Sequence, residues 1–221
     1  MTTIIECAKC GGIMTPGNAR RHPELFLHDA CLPPELLPRI GDWMQTFPTG
    51  TMFWPLDPRQ HEVHLEDIAH ALSNICRFGG HCREFLSVAQ HSIIVSQVCD
   101  PADALVGLLH DAPEAYLGDL IRPLKYGGFG ERYRKVEHSL LLAILGRFGL
   151  PVRARLPASV ERADAVVLWT EKRDLLTEPP APWGEPQGHG PICCLPGKVE
   201  PWSPEEARRQ FLLRFKMLTE K

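Results

Sequence analysis

A chain of 221 residues, 44% of them hydrophobic, can bury a substantial core, and a formal charge of −3 gives it no basic surplus for nucleic acid or an anionic membrane. No run of about 18 apolar residues occurs, and the polar N-terminus lacks the apolar segment of a signal peptide. The sequence therefore predicts a cytoplasmic protein, and its eight cysteines are expected to be thiols or metal ligands rather than disulfides.

Two pieces are expected, 1–40 and 41–221. In the first, Cys7-Ala-Lys-Cys10-Gly-Gly reads as a metal knuckle, in which two thiolates grip one ion and glycine allows the tight turn. His28-Asp-Ala-Cys31 supplies a second pair of ligands, with His22 as a competitor. A structural zinc on Cys7, Cys10, His28 and Cys31, in an otherwise irregular segment, is the expectation.

Prolines and turn formers crowd residues 32–58, which predicts a linker with one short strand at Gly50–Trp54 and with Trp43, Phe47, Phe53 and Trp54 as packing residues. Helical periodicity takes over at Leu65. Leu65, Ile68, Ala69, Leu72 and Ile75 recur at three and four, and the glycines at 79 and 80 end that stretch. Further helices are predicted at Phe85–Val98, Ala102–His110, Tyr133–Phe148 and Pro157–Leu176. Seven prolines between Glu178 and Pro201 predict an irregular loop. In that loop His189, Cys193 and Cys194 are ligand types at metal-like spacing. Ser203, Pro204 and Glu206 then form the capping signature of a last helix. The fold class is all-α, a helical bundle behind a small N-terminal Cys/His segment.

His91, His110, Asp111 and Asp164 each fall in or beside an apolar helical segment. Ionisable groups seldom go inside without partners, and a divalent ion suits imidazole and carboxylate alike. A single His or Asp in a helix is more often hydrogen-bonded structure than a ligand. Four of them on three inward stripes make a cage that leaves positions for water and a substrate oxygen.

The order His…His-Asp…Asp resembles the HD-domain metal-dependent phosphohydrolases, above all the branch of bacterial 5′-deoxynucleotidases and related phage nucleotide phosphohydrolases. The resemblance is carried by Arg77-Phe78, Ser87-Val-Ala-Gln-His-Ser92, His110-Asp111-Ala-Pro-Glu114, Gly118-Asp119, Pro123-Leu-Lys125-Tyr126 and Ala163-Asp164-Ala165, within 65–176. It implies one divalent transition metal (Mn, Co, Fe, Ni or Zn) on His91, His110, Asp111 and Asp164. It implies that Glu114 orients or deprotonates the attacking water and that Asp119 contacts the sugar or the leaving oxygen. Arg77 would clamp phosphate, Phe78 would shape the base pocket and Lys125 would add positive charge. His81, after the glycine turn, reads either as a residue that could reach the substrate or as a hydrogen-bonded loop histidine.

Hydrolysis of deoxynucleoside 5′-monophosphates by a homo-oligomer is the implied activity. Glu161 stands where some relatives carry a lysine for the phosphate tail, which disfavours the alternative, a dATP-type triphosphohydrolase. A third reading is an inactive helical binding module with a zinc-bearing interaction segment.

Overall fold

The computed structural model describes the backbone of 5–6, 13–14, 19–22 and 25–28, and in full residues 38–128, 130–151, 155–184 and 192–220. The chain divides into two compact units, 1–40 and 41–221. In the first, β1 (Ile5–Glu6) pairs antiparallel with β2 (Ile13–Met14). Likewise β3 (Ala19–His22) pairs with β4 (Leu25–His28), Ala19 opposite His28. The expected irregular segment thus contains two short ladders, whose backbone pairing the cysteine spacing does not announce. Cys7, Cys10 and Cys31 lie outside the described residues, as does the side chain of His28. The zinc grouping therefore remains an expectation.

The second unit opens with a hairpin of β5 (Met44–Gln45) and β6 (Met52–Phe53). Thr49 secures its turn to the helical body, giving its backbone N–H and hydroxyl to the Asp67 carboxylate at 3.0 and 2.6 Å. Strand alternation sends Phe53 fully inside, stacked on Tyr116 at 4.0 Å between ring centroids. Trp43 and Phe47, expected to pack, are instead 47% and 64% exposed. Phe47 sits on the turn itself, its ring against His70 at 4.6 Å.

Eight helices follow among the described residues: α1 (Leu65–Asn74), α2 (Val88–Val98), α3 (Ala104–Leu109), α4 (Glu114–Leu117), α5 (Arg122–Lys125), α6 (Gly130–Arg147), α7 (Ala158–Leu175) and α8 (Pro204–Thr219). The molecule is mostly helical. Ile68, Ala69 and Leu72 of α1, Val88 and Ala89 of α2, Leu140 and Ile144 of α6 and Phe211 of α8 meet in one core. Each large apolar side chain buried there contributes about 1.5–3 kcal/mol relative to exposure. No described helix is long and apolar enough to cross a membrane.

The ends of α2, α3 and α8 show why the helices stop where they do. α2 begins at Val88 rather than Phe85, because the Ser87 hydroxyl accepts the Gln90 N–H at 3.1 Å and fixes the cap. Phe85 is left half out. Pro101–Asp103 forms a 3-10 turn, so α3 starts two residues later than its apolar pattern suggests. Ser203 caps α8 as expected, but the Glu206 carboxylate takes Arg209 and Gln210 instead of reaching back.

The α2–α3 packing decides where the site falls. A Cβ on Gly107 would sit 2.9 Å from Cys99 Sγ and 3.3 Å from the Ser96 Cα, so glycine is what lets α3 lie this close. Gln90 uses both ends of its amide, giving Nε2–H to the Glu200 carbonyl and accepting the Trp202 N–H, each at 2.8 Å. The same helix turn that carries His91 therefore also ties down the approach to α8.

Candidate metal centre

α2 contributes His91, the C-terminal end of α3 contributes His110 and Asp111, and α7 contributes Asp164. His91, His110 and Asp111 each offer a ligand atom within 4.8 Å of the others. His110 Nε2 lies 3.2 Å from Asp111 Oδ2, and His91 Nε2 lies 3.6 Å from the same oxygen. Asp164 stands one step to the side, its Oδ1 3.2 Å from His91 Nε2. Three of the four expected ligands thus form the group, and the fourth touches it through His91.

The outer ring nitrogens fix which tautomer each ring takes when it is neutral. His110 Nδ1 must donate to the Gly107 carbonyl at 2.8 Å, since a carbonyl only accepts. His91 Nδ1 meets Glu171 Oε1 at 2.7 Å, and an ionised carboxylate likewise only accepts. Each neutral ring is left with a bare lone pair on Nε2. Both Nε2 atoms are buried without a hydrogen-bond partner. Two converging lone pairs beside a carboxylate are what a divalent cation needs, and buried acceptors are costly without one. The residues fit a metal.

Electrostatics make the site attractive to a cation. Burial and Arg77 push His91 down, yet Glu171 and Asp164 outweigh them and lift it to about 9. Burial would raise Asp111, but His110, His91 and Arg77 hold it below the usual carboxylate range. The cluster is rich in negative charge and draws a cation, whether a proton on His91 or a metal ion in its place.

Glu171 is the residue that the sequence reading missed. It is fully buried on α7, two turns beyond Asp164, and joins the two halves of the site. Oε1 takes His91, while Oε2 takes Arg77 Nη2 at 3.1 Å and Nε at 3.4 Å. Metal-bound histidines commonly hand their outer N–H to such a carboxylate, which fixes ring and tautomer. Its sequence signal is only the seven-residue spacing from Asp164 within a polar run.

That bond revises the expectation for Arg77. Arg77 is 8% exposed, with its Nε and Nη2 committed to Glu171 and Nη1 3.8 Å from Asp111. Rather than an unengaged fork, it is a wall of the centre that can offer phosphate only the Nη1 edge. Phe78 follows in a left-handed conformation (φ 58°), its ring 5.6 Å from the Arg77 guanidinium carbon.

A cavity of about 330 Å³ gathers most of the remaining expected residues: Arg77, Phe78, His81, Glu114, Asp119 and Lys125. Burial first, then the charges of Asp111 and Asp119, push the Glu114 carboxyl well above its usual range, and its Oε2 has no hydrogen-bond partner. Burial raises Asp119 as well. Lys125 reaches this cavity, but its ammonium is bound to Glu137 at 2.6 Å and is not free to swing. A larger cavity of about 1360 Å³ adjoins it and shares Asp111 and Asp164. Arg122, Arg134, Arg155, Trp169 and Trp183 line it, none of them expected from sequence. Glu161 lies on its wall, as do His138 and Lys125. Cys193 and Cys194 carry free thiols, and His189 lies outside the described residues.

No family model matches the chain. Over 178 residues it is 36% identical to the uncharacterized protein YfdR of Escherichia coli K12, covering 80% of this chain and 96% of YfdR. The chain belongs to the YfdR family. A second relative, an uncharacterized protein of Rhodobacter capsulatus, is 40% identical over 117 residues, 49% of this chain and 58% of that protein. Neither YfdR nor the second relative carries a named activity, so a functional reading of this family member rests on the chemistry of the site.

Proposed function

We propose that the chain is a metal-dependent phosphohydrolase of the HD-domain type, acting on nucleotides and foremost on deoxynucleoside 5′-monophosphates. The observation that carries this reading is the pair of buried, unpartnered Nε2 lone pairs of His91 and His110 converging beside Asp111. A divalent ion held by His91, His110 and Asp111, with Asp164 adjacent, would polarise a phosphoryl oxygen and acidify a bound water.

The protein's own groups supply the rest. Glu171 keeps His91 turned with its lone pair inward. Glu114, buried in the small cavity with a free Oε2, is placed to take the proton of the attacking water. A cation next to Asp111 would draw the Glu114 carboxyl back toward ionisation, so base and metal are coupled. The Nη1 edge of Arg77 faces the charge that builds on the phosphoryl oxygens. Asp119, which lines the same cavity, would accept a sugar hydroxyl.

The larger cavity supports a second reading, hydrolysis of deoxynucleoside triphosphates, because Arg122, Arg134 and Arg155 could face a longer anionic tail. Incubation of the metal-loaded protein with dAMP and dATP separates the two. Orthophosphate from dAMP supports the first, and triphosphate or pyrophosphate from dATP supports the second. Absence of turnover of both, with metal bound, would refute the enzymatic reading.

A further inference from the structure

Cys76 and Cys82 stand at the two ends of the short loop that carries Arg77 and Phe78. Their Sγ atoms are 3.7 Å apart, and both side chains are half-buried. Each is a free thiol. Cys99 is buried against the Ser96 carbonyl, and Cys194 bonds the Trp169 carbonyl.

The ends of the loop are held, and two glycines lie between them. Cys76 is bridged to Ser87, and Arg77 gives its N–H to the Leu86 carbonyl at 2.8 Å. At the other end Arg83 gives its N–H to the Leu175 carbonyl at 2.9 Å. Between them Gly79 and Gly80 sit at φ +60° and +83°, conformations glycine tolerates. A disulfide needs an S–S distance of about 2.05 Å, so the sulfurs must approach by about 1.7 Å. Side-chain rotation with a small movement at the two glycines can supply that.

We propose that Cys76 and Cys82 are a reversible thiol-oxidation site, closed into a disulfide by a hydroperoxide, which locks the loop bearing Arg77 and Phe78. One thiolate attacks the peroxide oxygen, breaking the O–O bond and leaving a sulfenic acid with release of water. The second thiolate then attacks that sulfur, forming the S–S bond and releasing a second water. With hydrogen peroxide the balance is two thiols and one peroxide to one disulfide and two waters. The peroxide is reduced and the two sulfurs are oxidised.

Closure also removes the Cys82 S–H that points to the Arg77 carbonyl at 3.9 Å. It therefore acts on the residue whose guanidinium ties Glu171 to Asp111. Burial pushes the Cys82 thiol up, so closure accelerates as the pH rises. In a reducing compartment such a pair is transient, which suits a sensor better than a structural staple.

The test uses the full chain. Protein treated with hydrogen peroxide is blocked with N-ethylmaleimide and cut with trypsin, which cleaves after Arg77 and Arg83. The expected product is the peptide ending at Arg77 joined to Phe78–Arg83, at a mass two hydrogens below their sum. Dithiothreitol should release the two peptides, and the Cys82→Ser protein should never yield the pair. Recovery of both thiols as maleimide adducts, or of Cys76 and Cys82 separately as sulfinic acids, would overturn the proposal. The readout needs no substrate and is independent of the phosphohydrolase reading.

Discussion

The two sides of the candidate metal centre are built on opposite principles. On the floor, His91, Glu171 and Arg77 are buried, and the hydrogen bonds of Glu171 at 2.7 and 3.1 Å fix the other two. At the mouth, Tyr126 is 65% exposed, with the guanidiniums of Arg122 and Arg134 over its ring at 5.4 and 5.5 Å. The floor has no slack, because each charge left unpaired in the interior costs several kcal/mol. The mouth is held by contacts worth about 0.5–1 kcal/mol each at exposed sites. Such a division suits a rigid centre approached through an adaptable entrance. It predicts large effects below and small ones above.

The sharpest break comes from Glu114→Ala. It should lower turnover by about 10²–10⁴-fold, the usual contribution of a general base, while metal content by elemental analysis stays unchanged. Full turnover by the variant would remove Glu114 from the mechanism. Glu171→Ala should follow in size, destabilising the protein by about 3–5 kcal/mol in urea titration, since it removes the buried carboxylate that His91 and Arg77 both bond. The gentler Glu171→Gln should keep the fold and weaken metal affinity by about 10–100-fold, measured by competition with a chelator. Equal metal affinity in the two proteins would show that Glu171 does not orient His91.

Moving outward, Gln90→Ala should cost about 1–3 kcal/mol, because the Glu200 carbonyl and the Trp202 N–H lose the partner that holds them to α2. The check is again denaturant stability. The smallest effect is expected at the mouth. Tyr126→Ala should shift stability by no more than about 0.5 kcal/mol, and any change in the reaction should appear in KM rather than kcat. A large drop in kcat would mean that the mouth belongs to the reacting machinery.

How much of this was legible beforehand depends on the kind of interaction. The stripes of α1, α6 and α8 are written in apolar spacings, and Ser203-Pro204 announces the start of α8. The His-Asp pair at 110–111 stands out for being charged within an apolar run. Glu171 does not, because Thr170, Lys172, Arg173 and Asp174 around it disguise one inward carboxylate as part of a solvated face. Trp43 and Phe47 mislead in the opposite sense, as aromatic residues that packing was expected to claim and that lie outside, Trp43 just before β5 and Phe47 on the turn. Arg77 was legible as a candidate site residue but not as one already bonded to Glu171, 94 positions away.

The sequence by itself determined the mostly helical architecture of the second unit, the helix that each candidate ligand rides on and the capping of α8. These follow from local periodicity and from side chains bonding to the backbone within a few residues. Only the tertiary structure decided that His91, His110 and Asp111 meet, which ring nitrogens stay bare, that Asp164 stands beside the group and that Glu171 braces it. Those facts depend on how closely α2, α3 and α7 pack, which Gly107 and the buried core set. They also depend on charges that become partners only when the interior excludes water.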